Sequence, residues 1–190
     1  MILTDREIKI AIQRRLIVID PAPDGDAAFS STAVDLTLDS NLIVFDPSVQ
    51  GVEKIVDPGA ANVASILGEI THAEKIPASG FLLHPNVLTL GWTSEYVALD
   101  LETRIAARVE GKSSLARLGL GVHVTAPTIH AGFSGQIQLE MINHGGQPIR
   151  LRPNMRICQL IFETTLGTPE RGYQGQFAGQ TSVRRRNRKH

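Results

Sequence analysis

The sequence predicts an all-β domain, a sandwich or barrel, opened by one short N-terminal helix. Short runs rich in Val, Ile, Leu and Thr follow one another for most of the chain. Turn signals separate them, among them Asp46-Pro47, Asp57-Pro58-Gly59, His84-Pro85-Asn86, Gly132, His144-Gly145-Gly146 and Pro153-Asn154. Clear helical spacing is confined to the N-terminus. Many short strands with such punctuation favour a closed or two-layered β architecture over α/β.

The helix is expected over Thr4 to Arg15. Thr4 can cap it, Glu7 completes a capping box, and Ile8, Ala11 and Ile12 form an apolar stripe. Strands are expected at Ala33–Leu38, Leu42–Phe45, Gly80–Leu83, Val87–Trp92, Arg104–Glu110, Val122–Thr125, Gln136–Ile142 and Pro148–Phe162, the last broken at Pro153. Ala60 to Ile70 fits a short helix or an irregular excursion. No internal repeat or linker divides the chain. The expected organisation is a body over 1–166 and a Gly-, Gln- and Arg-rich arm over 167–190 that orders only against a ligand or neighbour.

Of the 190 residues, 42% are apolar and 20% charged, so a buried core is affordable and bulk disorder is excluded. Five of the 19 basic residues lie in Arg184 to His190, and without them the body carries about −5. That sign disfavours a general nucleic-acid binder. The tail itself reads as a solvated basic segment, with a nucleic acid or anionic surface as the alternative. The N-terminus mixes charges and no apolar run approaches a membrane span, so a cytoplasmic protein is expected. Cys158 is the only cysteine and reads as a small buried hydrophobe. Trp92 reads as core or interface packing, and His123 as a packed, hydrogen-bonded side chain on a strand. Arg150, Arg152 and Arg156 read as solvated or interface charges on an edge-like strand.

Two stretches carry candidate chemistry. In Glu110-Gly111-Lys112-Ser113-Ser114-Leu115-Ala116-Arg117, a strand ends at Gly111 and a helical turn starts at the serines. Free N–H groups, two hydroxyls and Arg117 four residues after Ser113 suit an anion, with Lys112 adding charge. The same spacing also fits an ordinary capped turn with a solvated Arg. In Ser134 to Asn143, strand alternation puts Ile137, Leu139 and Met141 on one face and Gln136, Gln138 and Glu140 on the other. A carboxylate set among apolar neighbours would have a raised pKa, suited to general acid–base work. A solvent-facing Glu on a half-exposed strand is the alternative.

Taken in order, these stretches resemble the central motifs of the dCTP deaminase family, within the trimeric dUTPase-like superfamily. Val122-His123-Val124-Thr125-Ala126 and Gly132-Phe133-Ser134-Gly135 join them, with Met1 to Ile8, Ser31 to Leu38, Phe81 to Pro85, Leu151 to Met155 and Tyr173-Gln174-Gly175-Gln176. The resemblance implies a distorted jelly-roll-like β-barrel and a homotrimer with active sites between subunits. It implies hydrolysis of dCTP to dUTP and ammonia, in the supply of dUMP and dTTP precursors. Glu140 would activate the water, with Ser113 and Arg117 assisting from a neighbouring subunit. Lys112, Ser114, Leu115 and Ala116 would line the nucleotide site, and Ala126, Gln138 and Leu139 would read the base. Mg²⁺ would arrive with the triphosphate, and dUTP or dTTP are further candidate ligands.

The sequence departs from the family at His130, where an Asp usually meets the deoxyribose 3′-hydroxyl. A His can still hydrogen-bond a hydroxyl. Arg171 stands one residue from the usual phosphate-binding Lys, with Tyr173 and Gln176 completing the arm. Zinc is not expected. His72-Ala73-Glu74 matches half of the zinc-deaminase signature, and one Cys cannot supply the other half. Two alternatives remain at this point: a dUTP diphosphatase, alone or combined with deamination, and a non-catalytic trimeric nucleotide-binding protein.

Overall fold

The structure is a computed structural model, and it describes residues 1–45, 56, 57, 59, 63–173 and 179–182. The N-terminal helix α1 spans Asp5–Gln13, with Thr4 as its N-cap. Thr4 Oγ1 donates to the Glu7 carboxylate, which with Asp5 places negative charge at the helix start. Ile8 and Ala11 are buried and Ile12 packs beside them, as the stripe predicts.

Two sheets carry the fold. The first contains β1 (Ile17–Asp20), β4 (Asn41–Phe45), β5 (Thr71–Lys75), β7 (Leu88–Leu99), β9 (Leu120–Gly121) and β11 (Ser134–Asn143). Its order is β5-β4-β7-β11-β9, with β1 pairing β7. The second contains β2 (Phe29–Ser30), β3 (Ala33–Thr37), β8 (Ile105–Gly111), β10 (Thr128–Ile129) and β13 (Arg156–Thr164), in the order β10-β8-β13-β3-β2. A two-stranded antiparallel sheet, β6 (Phe81–Leu83) with β12 (Ile149–Leu151), is separate from both. Helix α2 (Val63–Ile70) and the turn-like α3 (Ser113–Ala116) are the other α-helices among the described residues.

All-β architecture is therefore observed, as two sheets around a shared core. The first sheet contributes Leu42, Val97, Leu139 and Met141, and the second Val34, Leu36, Leu160 and Phe162. Each such fully buried side chain stabilises by about 1.5–3 kcal/mol relative to exposure. Cys158 is fully buried among them, and burial pushes its thiol up. Trp92 is buried too.

The structure differs from the sequence reading at several elements. Val122–Thr125 is not a strand; the chain there runs irregularly between β9 and β10, and Ala126 has φ +57°. β7 runs to Leu99 and not to Trp92, because Thr93 bridges a register shift that would otherwise end the strand. Opposite Ile137, β7 carries three residues, Thr93 to Glu95, and Thr93 Oγ1 accepts from the Ile137 N–H while donating to the Glu95 carbonyl. β13, with Arg156 at its start, is central in its sheet, not an edge. Asp46-Pro47 and residues 60–62 lie outside the described residues. No helix among the described residues is long and apolar enough to cross a membrane.

Candidate active site

Glu140 lies on β11, where strict alternation turns Ile137, Leu139 and Met141 into the core and Gln136, Gln138 and Glu140 the other way. That face forms one side of a cleft of about 250 Å³. Ala126, Thr128, Ile129 and His130 line it from the β9–β11 connection, and Phe133, Ile137, Gln138 and Glu140 from the β11 side. Tyr173 and Gln180 close it from the C-terminal segment.

Burial pushes the Glu140 carboxyl above its ordinary 4.5, against the pull of the Val124 backbone N–H and of nearby His123. The irregular path of residues 122–127 brings that N–H to the carboxylate, which a regular strand would have spent on a ladder. The His123 reading needs correction. It is not on a strand, and its Nδ1 is buried with no hydrogen-bond partner among the described residues.

His130 stacks on Tyr173, with ring centroids 5.5 Å apart and planes 15° from parallel. Phe133 supports the same tyrosine at 6.0 Å. Gly132 allows the approach. Its φ is +85°, and a Cβ there would lie 2.9 Å from the Gly172 Cα. Tyr173 N–H donates to the Ala131 carbonyl, fixing the segment at that crossing.

The Lys112–Arg117 stretch forms as expected: β8 ends at Gly111 and α3 begins at Ser113. It lines a separate concavity of about 370 Å³, with Glu110, Gly111, Lys112, Ser113, Ser114, Ala116 and Gln159 on its walls. Ser113, Ser114, Ala116 and Arg117 are exposed, while Leu115 packs against the core. Lys112 is ion-paired, its Nζ 2.5 Å from Asp35 Oδ1. Behind α3, Gly119 (φ +95°) packs so closely on the 143–146 turn that a Cβ would lie 2.3 Å from the Gly145 N.

The structure thus brings Ala126, His130, Gln138, Glu140 and Tyr173 to one cleft, and Lys112, Ser113, Ser114 and Ala116 to another. Leu139 is fully buried and can offer that cleft only backbone groups. Arg171 is exposed, and Gln176 lies outside the described residues. Thr128, Ile129, Phe133, Ile137 and Gln180 line the first cleft without having been expected there. The alternation of β11 and the Gly132 turn were available signals for Phe133, but nothing in residue pattern marks Gln180. Among the described residues no group of three or more His, Cys, Asp or Glu is placed to hold a metal ion.

Two β-sheets thus carry a cleft in which a partly desolvated carboxylate lies among amide, imidazole and phenol groups. Residues 2–165 match the dCTP deaminase-like family, and the chain belongs to that family. A dCTP deaminase, dUMP-forming, from Methanothermobacter thermautotrophicus is 38% identical over 186 residues, covering 95% of this chain and 90% of the relative. A dCTP deaminase from Rhodospirillum rubrum is 38% identical over 173 residues, covering 91% and 87%. One from Shewanella oneidensis is 40% identical over 174 residues, covering 91% and 89%. The crystal structure of 2′-deoxycytidine 5′-triphosphate deaminase from Agrobacterium tumefaciens shares the fold, with a TM-score of 0.65 and 23% identity over 86% of this chain. This chain spans about half of that one, 48% of its length.

Proposed function

We propose that this protein hydrolyses dCTP to dUTP and ammonia without a bound metal at the reacting carbon. The observation that carries the reading is Glu140, held partly desolvated in a polar cleft with a raised pKa in a chain of this family. A carboxylate whose pKa approaches the working pH is an effective proton carrier. Glu140 takes a proton from water as the oxygen bonds to C4 of cytosine. It delivers that proton to ring N3, then carries the proton of the new C4 hydroxyl to the exocyclic nitrogen; the C4–N bond breaks, and ammonia leaves with the carbonyl formed. Gln138 and the backbone around Ala126 and Leu139 hold the base edge.

Ser113 and Arg117 complete the site from an adjacent subunit of a homotrimer. Two features of the single chain support this. The Ser113 turn and Glu140 line separate concavities, as a site shared between subunits requires. Leu118 beside the first and Val124 beside the second are exposed by 64% and 61%, apolar surface suited to subunit contact. The triphosphate brings Mg²⁺, and Lys112, Ser114, Arg171, Tyr173 and Gln176 would meet it. A substrate drawn from the free nucleotide pool fits the cytoplasm.

A second reading adds release of diphosphate, giving dUMP. It rests on relatives named as dUMP-forming at 37–38% identity, beside 37–40% for those named simply dCTP deaminase. One assay decides both: purified protein with Mg²⁺ and dCTP, dCMP, CTP or dUTP, reading ammonia and pyrophosphate separately. Ammonia from dCTP without pyrophosphate supports the first reading, and equal amounts of both support the second. Absence of ammonia from every cytidine nucleotide overturns both.

A further inference from the structure

Asn143 ends the core-facing row of β11, after Ile137, Leu139 and Met141, and it is fully buried. A buried amide is costly unless its polar atoms find partners, and here they do. Its Nδ2 donates to the Leu83 carbonyl at 2.9 Å and to the Gln147 carbonyl at 2.8 Å. Its Oδ1 accepts from the Gly145 N–H at 2.9 Å, and its backbone carbonyl from the Asn86 N–H at 2.7 Å. The side chain thereby fixes the 143–147 turn to itself and to the end of β6.

That turn meets the segment leaving α3. His144 N–H donates to the Gly119 carbonyl at 2.7 Å. Gly145 lies against Leu118, so closely that a Cβ on it would be 2.6 Å from the Leu118 carbonyl oxygen. A single helical turn does not hold its shape alone, so α3 depends on what packs against it. Leu115 anchors it to the core, and the 143–147 turn holds its far end just past Arg117.

We propose that Asn143 is a positioning residue for Ser113 and Arg117, acting through the 144–146 turn and Gly119. β11 then serves both concavities: Glu140 lines one from the outer face of the strand, and Asn143 shapes the other from its core face. The inference rests on the deamination reading given above.

Asn143→Ala and Gly145→Ala test it by different routes. The first strips the turn of its bonds; the second keeps the amide and pushes the turn off Leu118. Gly146→Ala is the control, expected to match the wild type, since a Cβ there meets nothing within 4 Å. Amide hydrogen exchange reads the clamp, and steady-state kinetics with Mg²⁺ and dCTP reads its consequence. Both variants are expected to lose protection at Arg117, Gly119 and His144 while β3 and β13 keep theirs, and to lose about 10–100-fold in kcat. The acid limb of the kcat profile is expected to stay where the wild type has it, because Glu140 is untouched. Mixed in equal amounts with Glu140→Gln, either variant is expected to recover about a quarter of wild-type activity, and with Ser113→Ala none. Unchanged exchange at Arg117 and Gly119 in Gly145→Ala overturns the proposal, and that variant decides alone if Asn143→Ala does not fold. So does an unaltered kcat, loosening spread evenly over β3 and β13, or rescue by Ser113→Ala in place of Glu140→Gln. Should Glu140→Gln and Ser113→Ala fail to complement each other, the shared-site reading fails by itself, and exchange with kcat decides. Should the wild type release no ammonia, the deamination reading fails by itself, and exchange alone decides the clamp.

Discussion

Lys112 Nζ sits 2.5 Å from Asp35 Oδ1, tying the start of the Ser113 turn to β3, two strands from β8 in the same sheet. Arg156 is the second cation near Asp35, at 3.7 Å. Both partners of the short pair are largely covered, with 23% and 12% of their side chains exposed. Lys112 therefore has a structural task besides any contact with phosphate.

Lys112→Met leaves the Asp35 carboxylate covered and short of its nearest donor. The expected loss of stability is about 1.5–3 kcal/mol, the range for a hydrogen bond to a charged partner. Urea unfolding measures it; an unchanged midpoint would mean the pair adds nothing beyond its surroundings.

The rate should carry the imprint of Glu140 burial. Desolvation raises its carboxyl above 4.5, and a general base works only when deprotonated. The acid limb of the kcat profile is therefore expected above the ordinary glutamate value. A limb at or below 4.5 contradicts the assignment, because the proton would then leave too readily for the group described.

Glu95 gives a stability prediction of defined sign. It is buried on β7, its carboxylate accepts from the Thr37 N–H at 2.9 Å and the Thr37 hydroxyl at 2.7 Å, and burial outweighs these bonds to raise its pKa. A carboxyl raised on folding favours the folded state most when protonated. Stability is lost as pH rises from the unfolded value near 4.5 through the raised folded value. Glu95→Gln removes that titration while keeping an acceptor. The wild type should lose stability relative to the variant across that pH rise, and denaturant midpoints at several pH values read the difference.

Shared sites can be tested by mixing two inactive proteins. Glu140→Gln keeps its Ser113 turn, and Ser113→Ala keeps its carboxylate. If each site draws on two subunits, co-refolded mixtures recover about a quarter of wild-type activity, the chance of pairing two intact halves at an equal mixture. Mixtures that stay inactive point to sites built within one chain.

The fold was largely legible where side-chain pattern carries it. The alternation from Gln136 to Ile142 marked both the strand and the face of Glu140, and the Gly111-Lys112-Ser113 boundary fell where β8 gives way to α3. Pattern failed where backbone bonding decides. Thr71–Lys75 has little apolar alternation and becomes β5 only through its ladder with β4. Val122–Thr125 alternates like a strand, yet this stretch leaves the ladder and brings the Val124 N–H to Glu140. Within the site, strand alternation and residue chemistry pointed to Glu140, and the family resemblance to His130 and Tyr173. Gln180 escaped, because it reaches the cleft through main-chain bonds at Gly179 and Gln136 that no side-chain spacing announces.

The most direct measurement is ammonia release from dCTP by the wild type and by Glu140→Gln, with dCTP affinity measured on both. The wild type is expected to release ammonia, and the variant to bind dCTP with similar affinity while its turnover falls about 10²–10⁴-fold, the usual worth of a positioned general base. Undiminished ammonia release by Glu140→Gln would contradict the account.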